Sequence, residues 1–131
     1  MMISLRLTII WVVLLGTAST AGAATPAVPA SKPDPVNGAK IFALCAACHE
    51  PGKAPQSGPE LRGVIGRRSA TVPGFRYSRA MRRANLTWDE STLDAYLADP
   101  QAVVPGNTMP FPGLPVAEER RELIHYLKTL Q

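Results

Sequence analysis

The residues best placed to do chemistry are two cysteines and a histidine in one short run, Cys45-Ala46-Ala47-Cys48-His49. On a helical turn, positions i and i+3 share a face, so both sulfurs can reach one planar group. With His directly after the second Cys, the pattern is C-x-x-C-H, the attachment sequence for c-type haem. Each thiol would join a vinyl group of the ring as a thioether, and His49 would meet the iron from one side. Three other chemistries use the same residue types. A closed zinc site takes about four protein ligands, and the chain offers only Cys45, Cys48, His49 and the distant His125 as thiolate or imidazole donors. A thiol oxidoreductase motif belongs beside a βαβ pattern, which is missing here. A plain disulfide leaves His49 without a role. One covalently attached haem is therefore the expected cofactor.

Haem iron takes a second axial ligand unless it binds exogenous molecules. Of the four methionines, Met1 and Met2 fall in a leader, and Met81 is flanked by Arg82 and Arg83, where packing is its expected role. Met109 sits in Val104-Pro105-Gly106-Asn107-Thr108-Met109-Pro110, a loop stiffened by proline on both sides. Such a loop can hold a thioether in place without a helix behind it, and Met109 is the expected second ligand. A Met that merely fills a loop pocket is the alternative. His125 is the rival ligand; its place between Ile124 and Tyr126 puts it off the apolar face of its helix and marks it as a surface histidine.

These residues need elements to position them. Residues 1–23 form an export signal: Arg6, an apolar run from Leu7 to Leu15, and the small residues Ala21-Gly22-Ala23 before a cleavage point. An uncleaved anchor is the alternative, for which the Gly, Ala, Ser and Thr of its second half are weakly apolar. Residues 24–34 are a flexible Pro/Ala-rich linker, and residues 35–131 are a single domain. Asp34-Pro35 opens a helix to about Ala47 that aligns Gly38, Ile41, Phe42 and Cys45. Glu50 to Gly74 is loop, and Ser78 to Ala84 is a short basic helix. Thr87 and Glu90 form a capping box for a helix that Asp99-Pro100 ends. Gln101 to Pro115, with four prolines and two glycines, is a constrained loop. The last helix starts at about Val116, with Leu123, Tyr126, Leu127 and Leu130 at core spacing. No strand alternation is present, so the class is all-α: about four helices and long loops. With 23 Pro and Gly and 6% aromatics, a domain this small gains from a buried cofactor.

Gly38 and Phe42 before Cys45-Ala46-Ala47-Cys48-His49, Gly58-Pro59-x-Leu61, Gly63-Val64-Ile65-Gly66-Arg67, Gly74-Phe75-x-Tyr77, Trp88, Tyr96-Leu97-x-x-Pro100, the Met109 loop and Leu123-Ile124-x-Tyr126-Leu127 together resemble a class I c-type cytochrome. The likeness is to mitochondrial cytochrome c and its short bacterial periplasmic relatives, over about residues 35 to 130. It implies the small class I fold and electron transfer rather than catalysis. It also implies that Pro59 offers its carbonyl to the His49 ring, that Arg67, Tyr77 and Trp88 lie near the haem propionates, and that Tyr96 sits beside Met109. Ordinary aromatic core is the alternative for Tyr77, Trp88 and Tyr96. The chain departs from the mitochondrial pattern at Met81, which stands in place of a buried Asn. It departs again on the docking face, where Leu44, Gln101, Ala102 and Thr108 replace lysines.

Without the leader, 13 basic residues face 10 acidic ones. Seven arginines and no acid lie between Arg62 and Arg83, whereas Ala84 to Gln131 holds three basic and seven acidic residues. Nucleic acid is excluded as a partner for an exported haem protein. The expected function is a periplasmic electron carrier, Fe(III)/Fe(II), with His49 and Met109 as iron ligands. Its partners would be a donor and an acceptor among membrane cytochrome complexes, terminal oxidases or periplasmic dehydrogenases, and the mature protein would be a monomer that does not span the membrane. The rival is a dedicated subunit of an exported oxidoreductase, docked through apolar residues such as Leu44, Phe111 and Leu114.

Overall fold

Among the described residues every helix but the last begins at a side chain that caps it. In a computed structural model, which describes Lys32, residues 34–50 and residues 57–131, helix α1 runs Pro35–Ala46. Asp34 accepts from the Val36 N–H, and Pro35 occupies the first turn, where its missing N–H costs nothing. Helix α2, Arg79–Ala84, is capped by Ser78, which accepts from Met81 N, and ends on Asn85 in the left-handed region. Helix α3, Glu90–Ala98, is followed by the single turn α4, Pro100–Val103, and later by α5, Ala117–Thr129. Among the described residues there is no strand, only an isolated antiparallel bridge between Arg68 and Thr87. The all-α expectation is met. The expected export signal lies wholly outside the described residues, and so does the linker apart from Lys32 and Asp34.

Two boundaries differ from the sequence reading. The α3 cap is Asp89, which accepts from Thr92 N, and not Thr87. Thr87 is committed to the bridge with Arg68, so its backbone stays extended. The constrained loop after Asp99 also contains α4, because the Asp99 carboxylate accepts from both Gln101 N and Ala102 N and starts a new turn at Pro100. One aspartate thus ends α3 and begins α4.

Helices α1 and α5 cross with their backbones close together. A Cβ on Gly38 would lie 2.3 Å from the Glu122 carbonyl oxygen and 2.6 Å from Tyr126 Cβ, so only glycine fits this crossing. One turn along, the Phe42 and Tyr126 rings meet at 5.2 Å between centroids. Beneath the crossing, Leu123, Ile124 and Leu127 of α5 join Leu93, Tyr96 and Leu97 of α3 in one apolar core with Trp88. The loop from Leu61 to Ser69 is pinned by backbone bonds, Gly63 N to Leu130 O at 2.8 Å, Gly66 N to Trp88 O at 2.9 Å and Ser69 N to Leu86 O at 2.8 Å. Leu114 belongs to the same core: it is 7% exposed and its N–H donates to Leu97 O at 2.7 Å. It therefore cannot form part of an external docking patch as the rival reading supposed. No helix among the described residues is long and apolar enough to cross a membrane.

Candidate functional site

The last turn of α1 carries Cys45, and the chain leaves the helix through Ala47, Cys48 and His49. Backbone bonds from Cys48 N and His49 N both return to Cys45 O, at 3.1 and 2.9 Å, which keeps the motif in a helix-like turn. Cys45 is half-buried and Cys48 exposed, both as free thiols. Burial pushes the Cys45 thiol pKa up, and the neighbouring Cys48 adds to the rise.

His49 is held by one bond whose sense is fixed. Its Nδ1 lies 2.6 Å from the Pro59 carbonyl oxygen. A carbonyl can only accept, so Nδ1 carries the hydrogen and Nε2 keeps its lone pair for a metal. Burial lowers the His49 pKa, with the Pro59 carbonyl pulling the other way, and a neutral imidazole is the form that ligates metal. Gly58 makes this approach possible. A Cβ there would sit 2.7 Å from His49 Cε1 and 2.8 Å from its Nδ1.

Cys45, Cys48 and His49 open onto a cavity of about 1140 Å³, mouth included, that Met109 also lines. Its walls come from every part of the fold: Val64 and Phe75 from the long loop, Leu93 and Leu97 from α3, Leu127 from α5. Tyr77, Tyr96, Pro59 and Met81 line it too. The Tyr96 hydroxyl lies 4.0 Å from Met109 Sδ, and burial pushes the Tyr96 pKa up to about 12. The phenol therefore stays protonated and can donate to the thioether. Tyr77 is also raised by burial, partly offset by the Val72 N–H and the Arg67 cation.

Two expected residues stand behind the cavity wall. The Arg67 guanidinium donates to the carbonyls of Arg62 at 2.8 Å and Glu60 at 2.7 Å. Trp88 is buried with its ring 5.0 Å from that of Tyr96. His125 is half-buried on α5 and does not line the cavity. Asn107 is a cavity residue that sequence reasoning passed over. It is buried, and every polar atom of its side chain is bonded to α4 or to the Met109 loop. No local pattern marks it, because its carbonyl partners belong to Pro100 and Val104 and meet it only in the folded chain.

The donor set suits one group. A planar ring, apolar on both faces, fits walls of Val, Leu and Phe, and its vinyl groups would find two thiols. An iron at its centre would find an imidazole nitrogen and a thioether among the cavity residues. Among the described residues no cluster of three His, Cys, Asp or Glu could hold a bare metal ion instead.

The profile of the family described as cytochrome c matches residues 35–131. The chain is 46% identical over 98 residues to cytochrome c2 of Rhodomicrobium vannielii, covering 73% of this chain and 78% of that protein. It is 50% identical over 98 residues to cytochrome c of Chlamydomonas reinhardtii, covering 72% of this chain and 88% of the relative. Among solved structures, cytochrome cH from Methylobacterium extorquens superposes with a TM-score of 0.70 at 41% identity, over 73% of this chain and 98% of that one. The chain thus belongs to the class I c-type cytochromes, electron-transfer proteins rather than enzymes, which carry one covalently attached haem c.

Proposed function

We propose that this protein is an extracytoplasmic electron carrier whose haem is attached through Cys45 and Cys48 and whose iron is held by His49 and Met109. The observation that carries the reading is that all four side chains line one apolar cavity. When bound, the haem supplies one-electron Fe(III)/Fe(II) exchange. His49, fixed by Pro59, presents Nε2, and its hydrogen-bonded Nδ1 makes the imidazole a better donor. Met109 is a neutral sulfur ligand that favours the reduced iron, which places the protein toward the positive end of the haem range. Tyr96 donates toward the Met109 sulfur from a desolvated hydroxyl. Tyr77 would lie beside the bound haem, with Arg67 and Trp88 supporting that wall from behind. The apolar walls would keep water from a bound haem. Location outside the cytoplasm rests on the export-type features of residues 1–23.

The test is expression with secretion and haem-attachment machinery. The wild-type chain should retain haem on a denaturing gel, and Cys45→Ala/Cys48→Ala should not. Met109→Leu should keep covalent haem but lose the low-spin spectrum, while His125→Gln should keep both. Covalent haem surviving in the double cysteine variant would end the attachment assignment. Loss of the low-spin spectrum in His125→Gln would move the ligand role away from Met109.

A further inference from the structure

Asn107 is only 7% exposed, yet each polar atom of its side chain has a partner. Its Nδ2 donates to the Pro100 carbonyl at 2.8 Å and the Val104 carbonyl at 3.0 Å. Its Oδ1 accepts from the Met109 backbone N–H at 2.9 Å. The main chain is held as well: Asn107 N donates to Val104 O at 3.0 Å, and its carbonyl accepts from Gln101 Nε2 at 3.0 Å. Gln101 closes the outside of the same loop, its Oε1 accepting from Gly106 N at 3.1 Å. The anchors are firm, since Pro100 is among the most completely buried residues and Val104 is 2% exposed.

We propose that Asn107 is a positioning residue: it locks the Met109 backbone to α4, with Gln101 as an outer brace, and so sets how readily Met109 leaves the iron. The inference rests on Met109 being an axial ligand. Only a short carboxamide can make this connection. Two donors must reach two carbonyls while one acceptor takes an N–H two residues on. Leucine has the shape without the bonds, and aspartate has the acceptor without the donors. A ligand that raises the potential binds ferrous iron relatively better than ferric, so the clamp matters most in the oxidised protein. There Met109 competes with outside ligands through the effective concentration its loop provides. A loosened loop lowers that concentration without touching the sulfur.

The experiment titrates the ferric holoprotein with imidazole and follows loss of the sulfur-to-iron charge-transfer band. Asn107→Leu should bind imidazole about tenfold or more tightly than wild type, the scale expected when two buried carbonyls and an N–H lose their partners. Gln101→Ala should shift affinity in the same direction by a smaller factor, because its bonds lie near the surface. A folded Asn107→Leu protein that melts lower but binds imidazole as wild type does would make Asn107 a fold residue only and overturn the proposal. Should that variant fail to assemble, Gln101→Ala decides, and unchanged affinity there refutes the clamp. A wild-type protein lacking the band would remove Met109 as ligand and the clamp with it. A wild-type protein with the band, and variants with unchanged affinity, would remove the clamp alone.

Discussion

At the scale of single residues, the site depends on where atoms are missing as much as on where they are present. Gly58 contributes no side chain, and this lets the Pro59 carbonyl come within 2.6 Å of His49 Nδ1. Gly58→Ala should drive the new methyl against the imidazole and the Cys48 carbonyl. We expect a loss of about 1–3 kcal/mol, the usual range for overpacking, together with a perturbed haem spectrum. Urea unfolding of the holoprotein and its visible spectrum measure the two effects. An unchanged spectrum would mean that Gly58 does not control the histidine. Tyr96 gives a prediction with a defined pH window. Its phenol is raised by burial to about 12, above the unfolded value of about 10. The neutral form is the one the fold favours, so this contribution is fully present below the unfolded pKa and is lost as pH rises through the folded one. Spectrophotometric titration should show a tyrosine ionising only near the top of that window, and Tyr96→Phe should remove that step. In the sequence Cys45, Cys48 and His49 stand out because they form one short run and Met109 because prolines flank its loop, and all four line the cavity. Asn107 does not stand out there, because its value comes from carbonyls of Pro100 and Val104 that meet it only after α4 has formed.

Among the elements, the instructive difference is the start of α3. The sequence reading starts the helix at the Thr87/Glu90 capping box, whereas the structure caps it at Asp89. What decides is a tertiary demand: Thr87 pairs with Arg68, and Trp88 N donates to Arg67 O at 2.9 Å, so the chain stays extended to Asp89. Asp89→Ala should lower the urea midpoint, whereas Thr87→Ala should leave it nearly unchanged. The Asp89 carboxyl pKa is held below its usual range, chiefly by the Thr92 N–H. Its contribution is present above that range and disappears as pH falls through the folded pKa, so wild type and Asp89→Ala should converge in acid. Leu114 was misjudged for a related reason. Its proline-rich surroundings look like an exposed loop, but Gly113 packs over Ala98 and hands Leu114 to the core. The energetics of the α1–α5 crossing can be checked. Alanine in a helix is normally better than glycine by about 1 kcal/mol. Here the methyl would lie 2.3 Å from a backbone oxygen, so Gly38→Ala should destabilise despite that propensity, and a raised denaturation midpoint would refute the tight crossing.

The whole molecule is electrically uneven in a way the folded pairing sharpens. In the acidic C-terminal half, Asp94 pairs with Arg120, Glu90 with Lys128 and Glu118 with Arg121, while Asp89 and Asp99 are occupied as helix caps. Much of that negative charge is spent internally. On the other side, Arg67 and Arg82 are tied to backbone carbonyls, but Arg76, Arg79 and Arg83 stand exposed without an ion-pair partner among the described residues. The protein therefore presents a positive face around α2, whereas the segment from Ala84 to Gln131 stays net acidic with its three cations paired. A diffusing carrier with this surface should be drawn to acidic partners from beyond contact range, and exposed charges are screened over about 8 Å at physiological salt. Its electron-transfer rate with an acidic redox partner should fall steeply as ionic strength rises. Replacing Arg76, Arg79 and Arg83 by Gln should lower the association rate and flatten that dependence, with little change in midpoint potential. Arg82 is left intact in this test because its bond to the Tyr77 carbonyl also orders the cavity wall. A chain built as a fixed enzyme subunit would behave otherwise. With Leu114 buried, such docking would fall on Leu44, which is 68% exposed at the cavity rim, and on Phe111. Leu44→Glu would then release the protein while the arginine substitutions did nothing. Stopped-flow kinetics across a salt series separates the two cases: a flat dependence, with stoichiometric copurification through high salt, would exclude the free carrier and leave the haem site untouched.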